Sequence, residues 1–197
     1  MRLYHNLCKA SFVRDLVDRY IENRAKRIHG VINPFLSKKG KILDIGSGTG
    51  HTAQLLIDLG FKNVSCVDYL DMNTCPDTKP MLYDGRKLPY KNKEFETALL
   101  ITVLHHTPDP EIIVKEASRV AKRIVIMEDT YNNFFQRYLT YAMDSIGNME
   151  FKGHPHTNKT DKGWQKLFKK NGLKLLKKKK GNFLWFFEST TYWVEAI

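Results

Sequence analysis

The chain has 197 residues, of which 42% are apolar, and it carries a formal net charge of +11. A chain of this length and composition is expected to fold as one domain with a sizeable core. Its apolar runs fall short of the roughly 18 residues that a membrane span requires, and its first residues lack the apolar centre of a secretory signal. Cys8, Cys66 and Cys75 lack the spacing of metal ligands or of a disulfide framework, which favours reduced thiols in the cytoplasm.

Two rows of apolar side chains predict an amphipathic helix over residues 11–28. One row occupies positions 12, 16 and 20, and the second lies beside it at positions 13, 17 and 21. Gly30 is expected to end this helix, and Asn33-Pro34 to form a linker.

A glycine-spaced turn follows the first predicted strand. Gly46, Gly48 and Gly50 allow the backbone to turn tightly and let a ligand approach bare main chain. The next strand ends at Asp68, where a carboxylate can accept two hydrogen bonds from a ribose. The order of strand, glycine turn, helix, strand and acid therefore indicates an α/β domain that binds a nucleoside.

Apolar runs bounded by turn residues predict the other elements. Strands and helices alternate with short connections as far as residue 130, which predicts right-handed crossovers and a parallel sheet. Asp161 is expected to cap the last helix. The predicted strands are 41–45, 63–68, 81–83, 97–103, 123–127, 173–178 and 190–196, and the helices after the first are 52–59, 111–121, 132–146 and 161–170.

Four segments together resemble the class I S-adenosylmethionine-dependent methyltransferases, in their small single-domain branch. The resemblance is strong over about residues 38–130, and it implies a Rossmann-like, doubly wound α/β fold. That fold has a seven-stranded, mostly parallel sheet with an antiparallel last strand and helices on both faces. The four segments are LDIGSGTG at 43–50, Val67-Asp68, YDGRKLPY at 83–90 and LHHTPDP at 104–110.

The same resemblance implies a single methyltransferase domain over residues 1–197. Many relatives carry a Pro-Gly-Gly turn before the fifth strand, but here residues 120–123 connect helix and strand directly, so a tighter turn is expected. The expected parts of the domain are an N-terminal helical cap (1–30), a cofactor-binding core (38–130), a substrate-side insert (131–163) and a C-terminal helix with a strand pair (164–197).

S-adenosylmethionine is the cofactor that the resemblance implies, with S-adenosylhomocysteine as the product. Asp44 is expected to hold the ammonium end, Asp68 the ribose hydroxyls and Asp84 the adenine amino group. Each of two acids also has an alternative without a ligand. Asp68 is then a solvated acid at a strand end, and Asp84 only starts a turn with Gly85. The implied cofactor-binding residues are Asp44, Gly46, Ser47, Gly48, Gly50, Asp68, Tyr69, Asp84, Gly85 and Val103.

Catalytic residues are not defined by the sequence. The sulfonium donor is already activated, so the enzyme has mainly to align the acceptor and exclude water. The candidates are His105, His106 and Glu128. The two histidines are adjacent in a loop and are expected to point apart, so no metal site is predicted. Glu128 is expected to face the substrate mouth, where it acts on the substrate or caps the following helix.

The methyl acceptor is expected to be a small or lipid-like molecule, selected by the first helix and by the insert after the fifth strand. The aromatic residues of helix 132–146 either pack in the core or form a lid over an apolar acceptor. Two alternatives remain open, namely an RNA methyltransferase that uses a lysine-rich C-terminal face, and a non-catalytic module that only binds the cofactor.

Most of the positive charge is local, because eleven lysines and one acid, Asp161, fall within residues 152–180. We consider three interpretations, in order of preference. The lysines form a solvated face, or residues 177–187 contact a membrane surface through basic and aromatic side chains. In the third interpretation, the lysines bind RNA together with Trp164 and Trp185.

Overall fold

The computed structural model describes residues 11–132, 136, 138, 157–183 and 187–197. Short 3-10 turns in these ranges cover Asn33–Phe35 and Leu104–His106. The helices are α1 (Ser11–Ile32), α2 (His51–Asp58), α3 (Pro110–Val120) and α4 (Asp161–Lys170). The strands are β1 (Ile42–Ile45), β2 (Val64–Asp68), β3 (Met81–Leu82), β4 (Phe95–Ile101), β5 (Ala121–Thr130), β6 (Leu173–Phe183) and β7 (Phe187–Ala196).

All seven strands form one sheet in the order β3-β2-β1-β4-β5-β7-β6. Strands β1 to β5 pair in parallel, whereas β7 is antiparallel to both β5 and β6. The predicted fold class is therefore confirmed. The chain moves outwards from β1 to β3 and then returns to the other side of β1. The carboxyl ends of β1 and β4 consequently flank the point where the strand order reverses, which is where open α/β sheets bind ligands.

Helices cover both faces of the sheet because the central strands alternate two sets of apolar side chains. Leu43 and Ile45 belong to the core beneath α3 and α4. Ile42 points the other way, into a core that it shares with Ile32 of α1 and Leu56 of α2. Burial on both faces explains why the strands of this region appear in the sequence as nearly continuous apolar runs.

The end of α1 differs from the prediction. The helix continues through Gly30 to Ile32, and a 3-10 turn follows at Asn33–Phe35. A glycine inside a helix costs about 1 kcal/mol relative to alanine but keeps its backbone N–H, so it does not by itself end the helix. Pro34 lacks that N–H and marks the actual boundary.

The cap of α4 is also different from the prediction. Oγ1 of Thr160 accepts a hydrogen bond from the amide of Gly163 at 3.1 Å, so Thr160 and not Asp161 is the N-cap. The carboxylate of Asp161 instead accepts from Nζ of Lys178 at 2.7 Å and from the hydroxyl of Tyr192 at 3.0 Å. Asp161, which local sequence rules assign to the helix end, is thus bound by Lys178 and Tyr192 of the sheet.

Strand β4 begins and ends two residues earlier than predicted. It ends at Ile101, because Thr102 adopts a left-handed φ of 56°. The turn into β5 is as tight as expected, since α3 ends at Val120 and β5 begins at Ala121. Helix 132–146 lies outside the described residues, apart from two helical positions at 136 and 138.

Two of the three cysteines lie in the described part of the chain, and both are free thiols. Cys66 is buried in β2, and burial raises the pKa of its thiol to about 12. Cys75 lies in a loop and is partly exposed. Cys8 lies outside the described residues.

Candidate functional site

The loop between β1 and α2 carries three glycines in the left-handed region, with φ of 72° at Gly46, 53° at Gly48 and 84° at Gly50. A Cβ atom added to Gly46 would lie 2.7 Å from Cγ2 of Val103, and one added to Gly50 would lie 2.2 Å from Oγ1 of Thr78. A Cβ atom on Gly48 would meet no heavy atom of the described residues within 4 Å. The loop is therefore tightly packed at both ends and has open space beside its middle glycine.

Asp68, at the carboxyl end of β2, is buried against this loop, with 5% of its surface exposed. Its Oδ2 accepts a hydrogen bond from the amide of Gly48 at 2.8 Å, and its Oδ1 accepts from the amide of Tyr69 at 2.7 Å. Oδ2 keeps a second lone pair for another donor. Ser47 lies half-buried in the same loop. The structure thus brings the predicted acid into direct contact with the predicted glycine turn.

Asp44 lies beneath the glycine loop and has only 2% of its surface exposed. Burial and the neighbouring charge of Asp68 raise the pKa of Asp44 to about 7, while the guanidinium of Arg24 opposes the shift. Nη2 of Arg24 also donates to Oγ1 of Thr102 at 2.7 Å. A cation from α1 therefore reaches the carboxyl edge of the sheet, next to an acid that is easily protonated.

Arg24 was not predicted as a site residue. It stands among other basic residues of the same predicted helix, at positions 19, 26 and 27, and the helical pattern gives no reason to choose between them. Its contact with Thr102 joins residues 78 positions apart. The packing of α1 against the sheet brings Arg24, and not its basic neighbours, to Thr102.

The turn after β3 lies at the exposed rim of the same edge. Oδ1 of Asp84 accepts from the amides of Arg86 at 2.8 Å and Lys87 at 2.9 Å, and these bonds hold the pKa of Asp84 below its usual value. Gly85 has a φ of 73°, and Tyr69 is 63% exposed. The structure therefore shows the turn-forming role of Asp84, and its contact with adenine stays a prediction.

The side chain of Glu128 is turned into the protein and not towards an open substrate mouth as expected, and its action on the substrate or as a helix cap stays a prediction. Its side chain is fully buried at 0% exposure. Oε1 accepts from the amides of Val103 at 3.0 Å and Leu104 at 2.7 Å, and Oε2 lies 2.5 Å from Nδ1 of His105. These groups fix the loop that follows β4.

The two histidines of that loop do not point apart as expected. The rings of His105 and His106 lie 4.1 Å apart between centroids, at an angle of 39°. His105 is buried at 1% exposure, whereas His106 is half-buried. His105 is therefore tied to Glu128, and His106 is the more accessible of the two.

Residues 157–160 contact this loop from a distant part of the chain. Oγ1 of Thr157 donates to the carbonyls of Leu104 at 3.0 Å and Thr107 at 3.2 Å. Two residues further on, Lys159 forms a parallel bridge with Thr130 at the end of β5. The sequence carries no periodic signal for this segment.

Four lysines in the lysine-rich part of the chain form ion pairs with acids among the described residues. Lys178 lies 2.7 Å from Asp161 and Lys170 lies 2.6 Å from Glu111, and further pairs join Lys174 to Glu195 and Lys180 to Glu188. The choice among the three interpretations of this face stays a prediction.

Trp164 is fully buried, at 0% exposure, so it is not available to stack on RNA bases as the third interpretation requires. Trp185 lies outside the described residues. Among the residues that are described, no helix has the length and apolarity to cross a membrane.

Comparison with known families and proteins supports these observations. A family model described as a methyltransferase domain matches residues 17–178. The demethylmenaquinone methyltransferase of Streptomyces griseus is 32% identical over 117 residues, which is 54% of this chain and 51% of that protein. The protein with the same name from Paenarthrobacter aurescens is 28% identical over 153 residues, covering 70% of this chain and 60% of the relative. The chain thus spans between half and two thirds of these relatives.

Solved structures share the fold at low sequence identity. A methyltransferase in complex with the Trm112 methyltransferase activator of Haloferax volcanii superposes with a TM-score of 0.73 at 14% identity, over 94% of this chain and 96% of that one. Magnesium protoporphyrin IX methyltransferase from Synechocystis, with bound SAH, superposes with a TM-score of 0.60 at 13% identity. That alignment covers 94% of this chain and 88% of the other.

Proposed function

Since this chain belongs to the class I S-adenosylmethionine-dependent methyltransferases, we propose that it methylates a small, lipid-like aromatic acceptor of the demethylmenaquinone type. Two relatives named as demethylmenaquinone methyltransferases support this choice of acceptor. The observation that carries the activity itself is the contact between Asp68 and the amide of Gly48, which joins the ribose-type acid to the glycine turn. We also propose that the enzyme acts in the cytoplasm, in line with the free thiols of Cys66 and Cys75.

The residues at the carboxyl edge of the sheet offer the space, the hydrogen-bond acceptor and the charges that S-adenosylmethionine requires. Gly48 leaves space beside its main chain, and Oδ2 of Asp68 has an acceptor position left for a ribose hydroxyl. Asp44 and Arg24 offer opposite charges for the ammonium and carboxylate of the methionine end. Tyr69 stands at the exposed rim, where we propose that it packs on the adenine.

When bound, S-adenosylmethionine supplies a methyl group on a sulfonium, which an electron-rich acceptor carbon takes up as the carbon–sulfur bond breaks. The protein has to hold the acceptor in line and keep water out. Val103 packs on Gly46, and Glu128 holds the amide of Val103 in place. Together these three residues give the site a rigid wall on the side of β4. We propose that His106 accepts the proton that the acceptor releases.

A transfer assay tests this proposal. The purified chain is incubated with S-adenosylmethionine labelled on its methyl group and with a short-chain demethylmenaquinone kept reduced by dithionite. We expect label in the quinol product, and none when the protein or the quinol is left out. A protein that binds the labelled cofactor but transfers label to RNA, and not to the quinol, would contradict the proposed acceptor.

A protein partner is a further proposal, because one structural neighbour was solved with the Trm112 activator. The edge of the sheet at β3 exposes a group of apolar side chains suited to such a partner. We propose that an activator of this kind binds there, and gel filtration of a mixture with Trm112 measures it. Serine substitutions at two of these positions should abolish a complex that forms. The exposed residues are Leu70, Met72, Met81 and Leu82.

A further inference from the structure

The side chain of Asn158 is buried but has no visible hydrogen-bond partner. Only 5% of the residue is exposed, and neither Oδ1 nor Nδ2 has a partner within the part of the chain that the structure describes. Burying an amide without hydrogen bonds is strongly unfavourable, and buried polar groups in native proteins are almost always paired. Such a group therefore points to a partner that the chain itself does not supply.

Four other buried polar atoms lack partners among the described residues, namely Nε2 of His29, Oγ of Ser47 and two indole nitrogens, and packing explains the indole nitrogens. The indole Nε1 atoms of Trp164 and Trp193 also lack partners among the described residues. Each belongs to a large apolar ring whose burial stabilises the core, and that gain offsets one lost hydrogen bond. The side chain of Asn158 brings little apolar surface and two polar groups, so packing alone does not account for its burial.

The position of Asn158 places it at the ligand-binding edge of the sheet. On one side, Thr157 binds the carbonyls of Leu104 and Thr107 in the loop after β4. On the other side, Lys159 is bridged to Thr130 at the carboxyl end of β5. Asn158 therefore lies between the loop after β4, which flanks the reversal point, and the carboxyl end of β5, on the return from the substrate-side insert.

We propose that the amide of Asn158 hydrogen-bonds a hydroxyl group of the methyl acceptor and so helps to select it. The inference rests on the proposed function, which it deepens by assigning a residue to the acceptor. An amide is both a donor and an acceptor, and a hydroxyl group satisfies either half. A quinol or phenol carries such a hydroxyl on an apolar ring. An acceptor of the same shape without a hydroxyl would leave the amide unpaired, and the site would discriminate against it.

The test compares Asn158→Leu, which is nearly isosteric and apolar, with Thr157→Val, which removes a hydroxyl with partners in the fold. The melting temperature of each variant is measured without ligand. Calorimetry on the protein–S-adenosylhomocysteine complex then gives the affinity for 1,4-dihydroxynaphthalene and for 1,4-dimethoxynaphthalene. The dimethoxy compound keeps the ring but cannot donate a hydrogen bond.

We expect Asn158→Leu to melt no lower than the wild type, since it loses no hydrogen bond within the protein, whereas Thr157→Val melts lower. We expect the wild type to prefer the dihydroxy compound by about tenfold, the size of one good hydrogen bond, and Asn158→Leu to lose that preference. Affinity for S-adenosylhomocysteine should stay unchanged in Asn158→Leu.

Two results would overturn the inference. The first is a lower melting temperature for Asn158→Leu, which would reveal a structural partner for the amide. The second is an equal preference for the dihydroxy compound in both proteins, including no preference in either. Failure of the proposed function is a separate outcome, because it appears as absent methyl transfer to reduced demethylmenaquinone by the wild type.

Discussion

The carboxylate of Glu128 lies 2.5 Å from Nδ1 of His105, and both side chains are buried, at 0% and 1% exposure. The same carboxylate accepts from the amides of Val103 and Leu104. Glu128, at the end of β5, thus holds the first residues after β4 in place. One of them is Val103, whose side chain packs against Gly46.

Replacing Glu128 by glutamine should destabilise the protein. The amide keeps one acceptor oxygen but puts an NH₂ group where a carboxylate oxygen met a buried donor, so we expect a loss of about 1–3 kcal/mol in the free energy of unfolding. Urea unfolding measures it. Glu22→Gln on the exposed side of α1 is the matched control and should change little. Equal stability of the two variants would show that the buried contacts of Glu128 contribute nothing.

Replacing Asp68 by asparagine should weaken the binding of S-adenosylmethionine and S-adenosylhomocysteine alike. Hydrogen bonds to a charged group are worth roughly 1.5–3 kcal/mol each, so losing one raises the dissociation constant about 10- to 100-fold. Titration calorimetry checks both ligands. Asp71→Asn, an exposed acid three residues further on, is the control. Unchanged affinity in Asp68→Asn would mean that the ribose lies elsewhere.

Asp44 should make the ligand-free protein less stable as the pH rises. Its pKa is raised from 3.8 to about 7 in the fold, so the folded state binds more protons than the unfolded state between these values. The stabilising contribution of the protonated acid is complete below about pH 4 and is lost as the pH rises through 7.

We therefore expect Asp44→Asn to be more stable than the wild type at pH 8, by roughly 1–3 kcal/mol, and to show a smaller decline between pH 5 and pH 8. Urea unfolding at both pH values tests this. Asp58→Asn, at the exposed end of α2, serves as the control. A wild type whose stability falls between pH 5 and pH 8 no more than that of Asp44→Asn would contradict the raised pKa.

Alanine at Gly46 and at Gly48 should have different effects, although both glycines have a left-handed backbone. A Cβ atom at Gly46 meets Val103 at 2.7 Å, whereas one at Gly48 meets open space among the described residues. We expect Gly46→Ala to cost about 1–3 kcal/mol more than Gly48→Ala. Adding Val103→Ala should recover part of the loss in Gly46→Ala and none in Gly48→Ala, as a double-mutant cycle of unfolding experiments would show.

The glycine variants also separate folding from binding. Gly48→Ala keeps most of its stability, yet its new methyl group occupies the space that we assign to the cofactor. Its affinity for S-adenosylhomocysteine should therefore fall at least tenfold, which calorimetry measures. Wild-type affinity in Gly48→Ala would mean that the cofactor does not approach this part of the loop.

Local sequence signals were sufficient for most of the sheet. Apolar runs next to turn residues located all seven strands, and the order of strand, glycine turn and acid placed Gly48 and Asp68 at one edge. Errors occurred where two residues carry the same local signal. Thr160 and Asp161 are both good N-caps, and the choice depends on Lys178 and Tyr192, which are distant in sequence.

The spacing of glycines, acids and apolar residues was enough to predict an α/β domain with a parallel sheet and the glycine turn, because these features depend on neighbours along the chain. The seven-stranded order with an antiparallel last strand followed from the resemblance to the family. The contacts of Arg24 and Glu128 and the unpaired amide of Asn158 emerged only from the folded chain. Each observation depends on hydrogen bonds between segments distant in sequence, or on their absence. Packing sets the direction of a side chain at a strand end, so the sequence does not reveal these contacts. A sequence pattern records which residues share a face, whereas hydrogen bonding in a buried site depends on where distant segments meet.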